Sequence, residues 1–103
     1  MLSCFGLTPK VLAVVPAPDG GYPGGNTAEG DNALFTLTTG ASDTAIGFAA
    51  LGSNTTGDFN TAEGSGALLL NTTGSSDTAN GNNALFHNTT GFQNVGHRRA
   101  SAI

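Results

Sequence analysis

NTAEGSGALLLNTTGSS, residues 60–76, is one of four consecutive segments that superimpose without a gap. Stepping back 17 residues gives DTAIGFAALGSNTTGDF (43–59), and a further 17 gives NTAEGDNALFTLTTGAS (26–42). Stepping forward gives DTANGNNALFHNTTGFQ (77–93). Thr-Ala, Gly, Ala-Leu and Thr-Thr-Gly recur at fixed places. A fixed period of this kind marks a repeat architecture in which each unit buries its apolar face only against its neighbours. A fifth unit opens at Asn94 and degrades into VGHRRASAI. Ala102-Ile103 would match its Ala-Leu step if one residue were inserted after Asn94. Residues 1–25 do not share the pattern and read as an irregular segment or cap, and residues 94–103 as a worn repeat or tail.

The unit is too short for a helix–turn–helix repeat, and its Gly, Asn, Asp and Thr content disfavours helix. The reading is an all-β fold, a parallel β-solenoid (β-roll) of about four 17-residue coils. Each coil is expected to hold two short strands, one over Thr-Ala-x-Gly (Thr44–Gly47) and one centred on Ala-Leu-x (Ala67–Leu69). Stacking then aligns Leu34, Leu51, Leu68 and Leu85, and likewise Ala28, Ala45, Ala62 and Ala79, in ladders about 4.8 Å apart. Ala33, Ala50, Ala67 and Ala84 form a third ladder. Gly40, Gly57, Gly74 and Gly91 close the Asn-Thr-Thr-Gly turn, where glycine is free to take positive φ.

The first position of the unit alternates Asn26, Asp43, Asn60, Asp77, Asn94, and the fourth reads Glu29, Ile46, Glu63, Asn80. Adjacent carboxylates would repel at about 4.8 Å, and alternation doubles that spacing to about the Debye length at 0.1 M salt. Duplication of a 34-residue pair would produce the same alternation.

NTAxGxxAL…NTTG resembles the head repeats of trimeric autotransporter adhesins, whose units carry an Asn-x-x-Ala-x-Gly core. It is also similar to related repeats of bacterial surface proteins and phage tail-fibre-like proteins. The resemblance covers residues 26–93 and rests on Asn26, Asp43, Asn60 and Asp77, on the third-position alanines, and on Gly30, Gly47, Gly64 and Gly81. It implies a left-handed parallel β-roll, three chains side by side, and a secreted or cell-surface location. The 17-residue unit is longer than the adhesin units. The expected function is a non-enzymatic structural or adhesive module of a surface or fibre protein. It would assemble as a homo-oligomer, either a trimer or an end-to-end fibre, and contact a host surface or carbohydrate. The alternative is a ligand-binding solenoid for ice or carbohydrate.

Composition narrows the choice. Three basic residues, Lys10, Arg98 and Arg99, against seven acidic ones leave a net charge of −4, unsuited to a phosphate-tracking surface. No apolar run reaches the length of a membrane span. Val11–Ala17 is short, broken by Pro16, and a poor signal core; Met1-Leu2-Ser3-Cys4 only faintly matches a lipid-attachment box. The single cysteine, Cys4, precludes an intrachain disulfide and has no local His or Asp to activate it. His87 shares its register position with Thr36, Ser53 and Leu70 and reads as surface; His97, Arg98 and Arg99 read as a solvated terminus. No nucleophile elbow, phosphate-binding loop or zinc-protease motif is present. Gly20-Gly21 and Gly24-Gly25 do not continue into a calcium nonapeptide. The carboxylates of the Asp43/Asp77 face are oxygen ligands that a calcium ion could use. No catalytic, cofactor or metal site is assigned. Asn54, Asn71 and Asn88 open glycosylation sequons, but all three fall at one turn, and turn chemistry accounts for them. Thr38, Thr55, Thr72 and Thr89, next to Thr39, Thr56, Thr73 and Thr90, suggest an ice-like array. As strand neighbours, the two ranks would face opposite ways.

Overall fold

The computed structural model describes residues 22–98. Five three-residue strands form one parallel sheet in sequence order: β1 (Thr27–Glu29), β2 (Thr44–Ile46), β3 (Thr61–Glu63), β4 (Thr78–Asn80) and β5 (Val95–His97). Every pairing has a register of 17: Thr27 lies against Thr44, Ala45 against Ala62, Glu63 against Asn80 and Thr78 against Val95. The fold is therefore a parallel β-solenoid. Within each strand the alternation puts Ala inward, with Ala45, Ala62 and Ala79 buried, and turns the flanking residues outward. β-Branched Thr suits the extended backbone at the outward place.

The second expected strand does not form. Ser65 to Leu70 instead runs as overlapping tight turns: Ala67 N donates to Gly64 O (3.1 Å), Leu69 N to Gly66 O (3.2 Å) and Asn71 N to Leu68 O (3.1 Å). The physical reason lies in Ala-Leu itself. Strand neighbours point to opposite faces, whereas Ala67 and Leu68 are both fully buried. The chain brings both inward by placing leucine in the left-handed region, at φ 52, 51, 51 and 49° for Leu34, Leu51, Leu68 and Leu85. That conformation costs about 1–2 kcal/mol for a non-glycine residue, and burial of a leucine contributes about 1.5–3 kcal/mol in return. Bonding between coils continues through the turns, with the amides of Leu34, Leu51 and Leu68 donating to Ala50, Ala67 and Ala84 carbonyls at 3.0 Å.

Gly40, Gly57, Gly74 and Gly91 line up as expected, but their role differs from the expected one. None of them has positive φ; next to this turn it is the residue two places on that does, Ser42, Phe59, Ser76 and Gln93 at φ 59–61°, and the strand-end glycine does as well, such as Gly47 at +127°. What excludes a side chain at Gly57 is proximity: a Cβ there would run into Gly74 O and come within 2.7 Å of Asn54 Oδ1. These glycines let successive coils and the interior amides close up.

Stacking extends beyond residues 26–93 at both ends. Gly24 O accepts from Ser42 N (2.8 Å), as Ala41 O accepts from Phe59 N and Asp58 O from Ser76 N, so Gly24 stacks on the end of the first repeat as one repeat does on the next. At the other end the 17-residue step holds through Arg98, whose N donates to Asn80 O as Gly81 N does to Glu63 O. No residue is inserted between Asn94 and Arg98. The end coils are less covered: Leu51 and Leu68 are fully buried, Leu34 is 8% exposed, and Ala28 and Leu85 are only partly buried. Residues 1–21 and 99–103, including Cys4, Val11–Ala17, Arg99 and Ala102-Ile103, lie outside the described residues.

Candidate functional site

The most organised chemistry is inside the stack. Asn26, Asp43, Asn60 and Asp77 are all buried, although their residue types favour a surface. Each is at the first place of its coil, one residue before the strand threonine, and points inward. Its Oδ1 accepts from the backbone N–H of the equivalent residue in the next coil: Asp43 N to Asn26 Oδ1 (2.7 Å), Asn60 N to Asp43 Oδ1 (2.8 Å), Asp77 N to Asn60 Oδ1 (3.0 Å) and Asn94 N to Asp77 Oδ1 (2.8 Å).

A second rank runs beside it. Asn54, Asn71 and Asn88 occupy the twelfth place, and Leu37 holds it in the first coil. Asn71 Nδ2 donates to Asn54 Oδ1 (3.0 Å) and Asn88 Nδ2 to Asn71 Oδ1 (2.9 Å), a stacked carboxamide ladder. The ranks are cross-linked. Asn54 Nδ2 donates to Asp43 Oδ2 and Asn88 Nδ2 to Asp77 Oδ2, each at 3.0 Å. Where the first rank carries Asn60, its Nδ2 donates instead to Gly74 O (2.9 Å), which also accepts from Asn71 Nδ2 (3.0 Å). Buried polar groups of this kind are tolerated when they are hydrogen-bonded.

Burial pushes the Asp43 carboxyl up from the usual 3.8 to about 6, and the nearby Asp58 adds to the rise. Hydrogen bonds from Asn60 and Asn54 act in the opposite sense.

This geometry bears on several sequence expectations. Asp43 and Asp77 do not form an outward calcium face, because both oxygens of each carboxylate are occupied inside the column. Asn54 and Asn71 are fully buried, and their amides are bonded within the column, so the folded chain offers neither to a glycan. Thr38, Thr55 and Thr72 hydroxyls donate to the carbonyls of Thr55, Thr72 and Thr89 (2.9, 3.1 and 3.3 Å), so this threonine rank serves the stack. Thr39, Thr56, Thr73 and Thr90 are exposed. His87 is exposed, with its ring edge-on to Phe86 at 5.0 Å, and His97 lies exposed on β5. The structure brings neither histidine into the column. No protein-family model matches the chain, and no curated protein or solved structure gives a significant match.

The outward positions obey no common rule. The fourth place carries Glu29, Ile46, Glu63 and Asn80, and the sixth Asp31, Phe48, Ser65 and Asn82. Phe35, Phe48, Phe59 and Phe92 are 58–72% exposed. Near β1, where Leu37 replaces the amide rank, a pocket of about 340 Å³ opens over Ala28, Ala33 and Leu34. The amide column itself was missed by sequence reasoning. The alternation of Asn with Asp was its one visible signal.

Proposed function

We propose that this chain is a non-enzymatic structural or adhesive repeat module of a bacterial surface or fibre protein, acting at the cell surface or after secretion. The observation that carries this reading is the division of labour within each coil. The inward places hold a fixed bonded pattern, while the outward places vary freely and present exposed phenylalanines. A scaffold that holds its shape whatever it displays suits presentation of an extended surface, as solenoids generally do. Exposed aromatics suit contact with another chain or with a host surface or carbohydrate. Assembly as a trimer or an end-to-end fibre fits this reading, as does the resemblance to adhesin heads.

Light scattering on the purified full chain over a range of concentrations tests the assembly. A discrete trimer supports the adhesin-head reading, and an open-ended polymer supports a fibre shaft. A monomer at every concentration sinks both. The second reading, a ligand-binding solenoid, rests on the exposed rank Thr39, Thr56, Thr73 and Thr90. Thermal hysteresis at millimolar protein would support its ice-binding form, and the lack of any would remove it.

A further inference from the structure

The interior column contains its own control experiment. Asn60 and Asp43 occupy the same place in adjacent coils, and both use Oδ1 to accept the next coil's backbone N–H. They differ at the second δ atom. Asn60 Nδ2 is a donor and meets a carbonyl, Gly74 O, at 2.9 Å. Asp43 Oδ2 is an acceptor and depends on Asn54 Nδ2, an amide that also serves Gly57 O at 3.1 Å. An amide therefore fits this place and bonds through both δ atoms without charge, yet every second coil carries a carboxyl. Asp43 is 1% exposed.

Among the described residues no cation balances it. The sequence has no Lys, Arg or His between residues 22 and 86. The ionisable groups of the coils packed against Asp43 are all acidic: Asp58 in its own coil, Glu29 and Asp31 in the coil before, and Glu63 in the coil after, with Asp77 two coils further along the column. An isolated buried carboxylate is costly, and taking up a proton relieves that cost while giving Oδ2 the donor that Asn60 has in Nδ2.

We propose that Asp43 is a proton-responsive element of the column: protonating its carboxyl tightens the stack, and ionising it loosens the stack as pH rises towards neutrality. The direction follows from linkage. A carboxyl that holds its proton more firmly in the folded than in the unfolded chain gives stability that is full below the unfolded value, near 3.8. That stability is lost as pH rises through the folded value, about 6. Over that window the folding equilibrium constant is expected to fall about a hundredfold from this group alone.

The test is thermal and urea unfolding of the full chain, followed by circular dichroism from pH 3.5 to 7.5, beside Asp43→Asn. The wild type should lose stability as pH rises through the window. The variant should lack that component and should melt above the wild type at pH 7. A variant that retains the wild-type slope overturns the proposal. If Asp43→Asn does not fold, a carbon-13 titration of the wild-type Asp43 carboxyl decides: a midpoint well above 3.8 upholds the proposal, and one at or below 3.8 overturns it.

Discussion

At the scale of single residues, the unusual feature is that asparagine does the work of an apolar core residue. Asn54, Asn60 and Asn71 are fully exchanged from water into a network of amides. Such a network stabilises only when complete, because each orphaned buried partner costs about 1–3 kcal/mol. Asn71→Leu tests this at a place where the first coil already carries a leucine, Leu37. Leucine would fit the column's shape but strand Asn54 Oδ1, which accepts from Asn71 Nδ2. A loss of about 1–3 kcal/mol in urea unfolding is expected; an unchanged midpoint would show that the ladder contributes no net stability.

At the scale of elements, the coil is one short strand plus a chain of turns, held closed by leucines in the left-handed region. Only the leucine's burial justifies that backbone. Leu68→Ala keeps the conformational strain and removes the burial, so it should cost about 2–5 kcal/mol, measured as a drop in melting temperature. A cost well under 1 kcal/mol would mean that the turn bonds hold the coil without the leucine.

These two scales also divide what could be read in the sequence from what could not. The Leu and Ala ladders, the strand at Thr-Ala-x and the 17-residue register were legible because apolar residues at a fixed period have one plausible destination. Ala67-Leu68 misled because two adjacent apolar residues suggest a buried strand. Only the closed coil reveals that both must point one way. Gly57 was legible as necessary but not for its reason, since glycine answers equally to positive φ and to close approach. The Asn–Asp column was hidden because Asn, Asp and Thr near glycine ordinarily signal exposed turns. Their burial becomes favourable only when a neighbouring coil supplies every partner.

At the scale of the whole molecule, stability is expected to add coil by coil with nearest-neighbour terms. The alternation of the first rank then matters. A chain with a second copy of 60–76 inserted in tandem sets Asn beside Asn, whereas a second copy of 77–93 sets Asp beside Asp at one coil spacing, about 4.8 Å. Both should lengthen the core. At pH 7 the asparagine-led insertion should raise the melting temperature more, and the difference should shrink by pH 4. Equal melting temperatures at pH 7 would show that like charges in adjacent coils are tolerated.

The first-rank bonds also have a direction. In all four, the side chain belongs to the earlier coil and the N–H to the later one. Each coil presents fixed acceptors to the coil translated after it, and its contacts lie about one repeat away in sequence. The stack is thus suited to vectorial assembly during synthesis, with every finished turn serving as the template on which the emerging chain winds its next one.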